Sequence, residues 1–564
     1  MQPEVKETKA QRIERLKREK NAWECLDEIR TFARQGHASI PPEWLGTYFR
    51  FWGVYTQGDG VGAVGGTGGE GKALPYFMVR IRIPNGLLLA HQVKTIAEVA
   101  RKYARDTADI TVRQNIQLHW VRIQDLPDVL ENLWRVGLTT MGSCGDDVRN
   151  IVGCPLAGVD GDEIYDASAL VAEANRQFVG NAEFYNLPRK FKVCITGCSA
   201  WCSYPEINDV GLTAARRSDG EVGFSLRVGG GLSTDPHLAQ RLNAFVLPHQ
   251  VLPVLKGVAA IFRDSDVLRE SRERARLKFL FLKHGWTEEQ FLDELQRRIG
   301  FTLDPAVPET LPDDVYRDHV GVHAQKQPGY FYVGASVLRG RLNSQQLHAA
   351  ASLAERYAGG ELRTTNMQNL LLVNVPHQQV TRVADGLTLA GLPVEGSSFG
   401  RGIIACTGTE FCKIAITETK SFARWLAEEL DDRLPGFEQH LKLHITGCPN
   451  SCGQHWIADL GLEGKKIKHD GKLLDAYYFC VGGAVGKHQA IGRPVGYRCA
   501  AREVPDAIER LLRQYEIMRE PGENLRRFFA RHSTEELRAI LAGGLVPAEA
   551  RDLATGPVPH GVEG

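Results

Sequence analysis

Apolar and polar positions along the chain follow two periods, and the switches between them predict its elements. Across residues 8–35, Ile13, Leu16, Trp23, Leu26 and Ile29 recur at helical spacing among strong helix formers, which predicts one or two amphipathic helices. The aromatic run Tyr48–Gln57 reads as a strand. From Tyr76 onward strands and helices alternate: a strand over Phe77–Ile83, a helix near Leu89–Tyr103, a strand-like run over Ile110–Val121 and a helix near Pro127–Val136. That order predicts a small α+β sandwich. Farther on, strands at Phe224–Val228 and Ala476–Val481 stand among helical stretches, each running into Val-Gly-Gly. Such a turn lets backbone approach a large ligand, or simply turns tightly. The Ala, Gly and Pro-rich tail after Pro547 reads as disordered.

The pattern then repeats itself. Tyr76-Phe-Met-Val pairs with Tyr330-Phe-Tyr-Val, and Gln114-Asn115 with Gln368-Asn369, each read inside a strand-like run. Arg149-Asn-Ile-Val-Gly-Cys154 pairs with Arg401-Gly-Ile-Ile-Ala-Cys406, and Lys192-Val-Cys-Ile-Thr-Gly-Cys198-x3-Cys202 with Lys442-Leu-His-Ile-Thr-Gly-Cys448-x3-Cys452. Partners stay 250 to 254 residues apart throughout, a register that marks an internal duplication of a two-module unit. The fold class is therefore α+β with a duplicated architecture.

Bulk properties exclude more than they assign. The 564 residues carry 68 basic and 68 acidic side chains, so no global field points to nucleic acid or membrane. The charged first thirty residues lack the apolar core of a secretory signal, and no run of eighteen apolar residues occurs. Twelve cysteines in such a chain suggest reduced thiols and metal ligands in a cytoplasmic protein. Gly66-x4-Gly71-Lys72 mimics a phosphate loop, but Ala73 stands where the motif needs Ser or Thr and no apolar strand leads into it. The run from Gly58 to Lys72 reads as a mobile surface loop. No Gly-x-Gly-x-x-Gly stands at a strand–helix junction to hold a flavin or nicotinamide.

Chemistry concentrates in the second copy. Cys406 and Cys412 form C-x5-C, and Cys448 and Cys452 form C-x3-C, 35 residues farther on. A helical turn at Cys448–Cys452 would put both sulfurs on one face. Spacing alone leaves an iron–sulfur cluster and a four-thiolate zinc site both open, the five-residue gap fitting zinc less well.

The runs Ala405-Cys406-Thr-Gly-Thr-Glu-Phe-Cys412-Lys-Ile-Ala and His444-Ile-Thr-Gly-Cys448-Pro-Asn-Ser-Cys452, set in the duplication, resemble the signature of the sirohaem- and [4Fe–4S]-dependent nitrite/sulfite reductases over roughly residues 20 to 530. The resemblance implies six segments: N-terminal helices and the Gly-rich loop (1–74), a ferredoxin-like half (75–145) and a sirohaem domain (146–310). A second ferredoxin-like half (311–398), a sirohaem and [4Fe–4S] domain (399–530) and a C-terminal helix with flexible tail (531–564) follow. It implies that Cys406, Cys412, Cys448 and Cys452 bind the cluster and that Cys452 bridges it to the sirohaem iron. Arg80, Arg149, Lys190 and Lys192 would form a basic cage around a small anion. Arg113 and Gln325-Lys326-Gln327 would lie near the sirohaem carboxylates, and Tyr55 and Cys144 fall where some members carry a Tyr–Cys crosslink. The implied partner is ferredoxin, the implied assembly a monomer and the implied substrate sulfite or nitrite. Lys192 favours sulfite, because nitrite reductases of this family tend to carry Asn there.

The copies differ. Arg80 faces Gly334 across the repeat, so the first copy is expected to handle substrate and the second to hold metal. Cys154, Cys198 and Cys202 keep three of four ligand positions in the first copy, with Asp160 near the fourth, and read as a vestigial site or a second cluster with a carboxylate ligand.

Overall fold

The computed structural model describes residues 7–63, 70–309, 311–312 and 316–544; the centre of the Gly-rich run and the tail after Pro547 lie outside the described residues. Helices Lys9–Glu19 and Leu26–Gln35 match the amphipathic spacing, the first closed by a Thr8–Gln11 capping box. The aromatic run after them is not one strand. Trp44–Phe51 winds helically and only Val54–Gly58 is extended. Tyr48, Phe49, Phe51 and Trp52 are all buried, a demand that strand alternation, with half its side chains facing outward, does not meet.

Each ferredoxin-like half is an antiparallel sheet backed by helices, yet neither is complete alone. The first sheet orders Val54–Gly58, Ala73–Ile81, Ile116–Val121 and Ala108–Ile110, and its edge strand, Arg341–Leu342, comes from the second half. The second orders Gly321–Ala324, Tyr330–Ala335, Leu370–Pro376 and Glu361–Thr364, closed by Leu87–Leu89 from the first half. Helices Ala90–Tyr103 and Ser344–Tyr357 pack together, so Val93, Ile96, Ala350 and Ala354 share one core. The exchange protects both sheet edges and fixes the halves to each other.

The Gln-Asn pairs sit not inside strands but in the turns between them. Gln114 and Gln368 adopt φ of 61° and 62°. Their amides donate to Gly153 O at 3.1 Å and Ala405 O at 3.2 Å, repeat-equivalent carbonyls just before Cys154 and Cys406. Each ferredoxin-like half is thereby docked onto its own cysteine-bearing module.

Those modules are mixed sheets. The first contains Val193–Thr196, Val210–Arg216, Val222–Val228 and Gln240–Val246; the second contains Ile403–Ala405, Leu443–Thr446, Leu460–His469, Lys472–Val481 and Arg493–Ala500. Val193–Thr196 and Leu443–Thr446 are buried throughout and pair in parallel with the following strand, as covered sheets require. The Val-Gly-Gly turns approach protein backbone: a Cβ on Gly230 would meet Glu206 O at 2.3 Å, and one on Gly483 would meet Trp456 O at 2.4 Å. Helix Thr534–Ala542 buries Leu537, Ile540 and Leu541 in the second module's core, which therefore extends beyond residue 530. No described helix is long and apolar enough to cross a membrane.

Candidate active site

Cys406 follows strand Ile403–Ala405 and Cys448 follows the adjacent parallel strand Leu443–Thr446, so both leave the same sheet end. Cys448–Cys452 forms turns, with Ser451 at φ 54°, not the helical turn the spacing suggested. Gly447 N–H donates to Cys406 Sγ at 3.2 Å and Asn450 Nδ2 to Cys448 Sγ at 3.5 Å. Burial first, then the neighbouring Cys452, pushes the Cys406, Cys412 and Cys448 thiols up. These thiols ionise only against a bound cation. Cys452 alone of the four is exposed. No three of the four sulfurs lie within 4.8 Å of one another, a spread that suits a polynuclear centre better than a single ion.

The Gly-rich run departs from the mobile-loop expectation at its described ends. Gly58 N–H donates to Phe411 O at 2.8 Å, Ala63 N–H to Ala415 O at 2.7 Å and Gly71 N–H to Lys413 O at 2.6 Å. These bonds pin the segment carrying Cys412.

The first copy supplies a basic wall. Arg80 Nη1 and Arg149 Nη1 both donate to Ser143 O, at 3.4 and 3.3 Å. With its amide oxygen turned inward, Gln117 accepts from Arg80 Nε at 3.1 Å. Arg149 also donates to Gly145 O at 3.0 Å through Nε. Burial opposes its charge, but Tyr55, Asp147 and Cys144 more than offset that and hold its pKa up. Recessed burial, then Arg276 and Arg189, push Lys190 down to about 7, while Cys452 pulls the other way. Burial, Arg113 and Lys190 press Lys192 well below the ordinary lysine range. Arg113 holds Asn208 Oδ1 at 2.7 Å and Asn150 O at 2.7 Å, and its buried Nε has no partner among the described residues. Burial brings it down to about 9.

Thus Arg80, Arg149, Lys190, Lys192 and Arg113 act on one another in sequence, and Lys190 links them to Cys452. So many recessed cations, three of them (Lys190, Lys192 and Arg113) depressed by burial and then by their charged neighbours, fit a polyanionic group and a small anion. Tyr55 and Cys144 flank the same wall, with Arg80 Nη1 3.1 Å from Cys144 Sγ and the Arg80 guanidinium 6.0 Å from the Tyr55 ring centre. Gln325, Lys326 and Gln327 make their polar contacts elsewhere. Lys326 pairs with Glu163 at 2.6 Å, Gln327 donates to Gly158 O at 2.8 Å and Gln325 holds Asn374, against the loop that follows Cys154.

Known proteins resemble this arrangement along most of its length. A family model described as the nitrite and sulphite reductase 4Fe-4S domain matches residues 144–303 and 396–543, and the nitrite/sulfite reductase ferredoxin-like half domain matches 71–135 and 323–390. The chain belongs to the nitrite and sulphite reductase family. An assimilatory ferredoxin-dependent nitrite reductase of Haloferax mediterranei is 37% identical over 89% of this chain and 88% of its own. Sulfite reductase [ferredoxin] 1 of Mycolicibacterium paratuberculosis is 36% identical over 90% and 92%. The solved structure of the Mycobacterium tuberculosis NirA protein superposes with a TM-score of 0.87 at 33% identity, over 93% of this chain and 97% of that one.

The matched 4Fe-4S domain of the nitrite and sulphite reductase family contains Cys406, Cys412, Cys448 and Cys452 in its second stretch and Cys154, Cys198 and Cys202 in its first. Sequence reasoning missed Arg276, which acts on both Lys190 and Lys192 and is tied to Asp209 Oδ2 at 2.8 Å. Asp209 Oδ2 also accepts from Lys192 N–H at 2.8 Å, and its repeat partner Asp459 accepts from Lys442 N–H at 2.7 Å. The recurrence of Asp209 as Asp459 was the available signal; Arg276 lies in no repeated motif.

Proposed function

We propose that the chain is a ferredoxin-dependent assimilatory sulfite reductase that carries sulfite to sulfide by six electrons, with nitrite to ammonia as the second reading. The observation that carries this is Lys192, recessed beside Lys190, Arg113 and Arg276 in the first-copy wall. A doubly charged oxyanion repays crowding of that kind better than a singly charged one. The second reading is kept because relatives named for either substrate stand at 36–37% identity.

Cys406, Cys412, Cys448 and Cys452 would hold the [4Fe–4S] cluster, and Cys452, the exposed thiol, would join it to the sirohaem iron. When bound, that pair would supply one-electron transfers to the substrate. Arg113, with its spare Nε–H, is placed to meet a cofactor carboxylate. Arg80 and Arg149 offer forked donors for substrate oxygens. Lys190, down to about 7, gives up and regains a proton near neutrality, which suits it to protonate departing oxygen. Ser143 O, Gly145 O and the Asp147 carboxylate, 3.4 Å from its Nε, hold Arg149 in place.

Steady-state kinetics with reduced methyl viologen and each anion in turn test the assignment. Lys192→Asn is expected to lower the sulfite-to-nitrite ratio of kcat/KM by ~10-fold, equivalent to about 1.4 kcal/mol of differential binding. An unchanged ratio defeats the preference for sulfite.

A further inference from the structure

The first copy's thiols lie closer together than the second copy's. Cys198 Sγ is 3.6 Å from Cys202 Sγ, which is 3.5 Å from Cys154 Sγ, and all three sulfurs lie within 4.8 Å of one another in a fully buried group. A tetrahedral ion with metal–sulfur bonds of about 2.3 Å sets sulfur–sulfur edges of about 3.8 Å. The separations match a mononuclear centre and are too small for corners of a cubane.

The surroundings suit thiolates as well. Leu156 N–H donates to Cys154 Sγ at 3.4 Å and Thr196 Oγ1 to Cys198 Sγ at 3.4 Å. Asp160 Oδ2 lies 4.0 Å from Cys154 Sγ, and Arg317 holds both carboxylate oxygens at 2.9 and 3.1 Å. Ligating carboxylates are commonly oriented in that way by an outer hydrogen-bond partner. His319 is 4% exposed, has no partner on either ring nitrogen among the described residues, and sits within range of the Cys198 charge.

We propose that Cys154, Cys198 and Cys202 hold one soft divalent cation, zinc, and that Asp160 or His319, neither of which lies within 4.8 Å of all three sulfurs, moves in as the fourth donor. The three thiols release their protons on binding, and no electron is exchanged. The ion fastens the Cys154–Asp160 segment to the Cys198–Cys202 turn, and Arg317 carries that brace into the chain leading to the second ferredoxin-like half. The site is closed and structural, neither an empty remnant nor a second cluster.

Metal analysis of the holoenzyme, purified without chelator, is expected to find stoichiometric zinc beside the iron. Cys198→Ser and Cys154→Ser are each expected to lose that zinc and to lower the Tm. Growth on cobalt should give sulfur-to-cobalt charge-transfer bands with tetrahedral ligand-field bands, and whichever of Asp160→Asn or His319→Gln alters those bands identifies the fourth donor. If the cysteine variants fail to fold, titration of wild-type holoenzyme with a mercurial should release zinc to a chromogenic chelator. Absence of zinc, a Cys198–Cys202 disulfide in the peptide map, or extra iron and sulfide that vanish in Cys198→Ser would each overturn the proposal.

Discussion

Duplication gives this molecule two equivalent recesses, and they have diverged in opposite directions. One sets first-copy cations against second-copy thiols; the other sets second-copy equivalents against Cys154, Cys198 and Cys202. In the second recess Gly334 replaces Arg80, His440 replaces Lys190 and Met367 replaces Arg113. A side chain at Gly334 is impossible, since its Cβ would lie 1.8 Å from His319 O. Arg401, the equivalent of Arg149, is spent on Asp318 at 2.7 and 2.9 Å. Tyr316 stacks on His440 at 4.8 Å and Tyr204 reaches Met367 Sδ at 3.3 Å, so aromatic rings line this recess beside Cys202 and Lys442. One recess keeps five basic side chains and an exposed thiol; the other keeps only Arg401 and Lys442 of their equivalents, is lined by aromatic rings and draws its thiols together. The lesson is that the full cation wall and an exposed Cys452 are maintained together, since the second recess has lost three of the wall's five cations and buried Cys202.

Cys452→Ser breaks the comparison most severely. It should remove cluster iron and lower reductase activity by more than ~100-fold, because even outer partners of a metal site cost 10–100-fold. Iron and sulfide determination beside methyl viologen kinetics checks both, and substantial activity in the variant would defeat the division of labour between the copies.

A smaller effect tests what keeps the second copy's thiols apart. Gly62 has φ 80°, and a Cβ there would meet Ala415 O at 2.4 Å, within the segment that carries Cys412. Gly60 has φ 89° and nothing within 4 Å of its Cβ position. Both alanine variants suffer backbone strain of about 1 kcal/mol, but Gly62→Ala adds a clash and should cost about 2–3 kcal/mol in all. Loss of cluster absorbance in air should be faster in Gly62→Ala than in Gly60→Ala. Equal rates would mean that the strap over Cys412 does not guard the cluster.

Much of this was legible in the chain. The register of Lys192 with Lys442 and of Cys198 with Cys448 exposed the duplication, and apolar periodicity located the helices Lys9–Glu19, Leu26–Gln35, Ala90–Tyr103 and Leu126–Arg135. The strand exchange was not legible, because Leu87–Leu89 and Arg341–Leu342 are short, ordinary apolar and basic pieces whose partners lie far away in sequence. The turns at Gln114 and Gln368 were hidden because flanking β-formers outweighed one residue of positive φ. Arg276 was hidden because a pairing with Asp209 leaves no local pattern. The different closeness of the two thiol groups was invisible for a simpler reason: C-x3-C is identical in both, and loop packing decides the distance.

The mildest test concerns charge in the open recess. Lys190 stands at about 7, against about 10.4 for a free lysine. Below pH 7 it is charged whether or not an anion is present, so anion affinity should be flat there. Above pH 7 the empty wall has released the proton, while a bound anion favours taking it back, so binding becomes linked to proton uptake. Affinity should then fall with rising pH by up to ~10-fold per unit, until the anion-bound form also deprotonates. Folding runs the opposite way. A lysine depressed in the native state makes stability rise from about pH 7 toward the unfolded value, because the unfolded chain binds the extra proton. Calorimetry of nitrite binding to the holoenzyme in buffers of different ionisation enthalpy reads the proton uptake directly, since nitrite itself stays ionised in this range. Lys190→Arg, permanently charged, should abolish the uptake and flatten the profile; an unchanged profile would move the titration to another group. His440, stacked on Tyr316 in the other recess, is the natural control, and His440→Gln should leave the linkage intact.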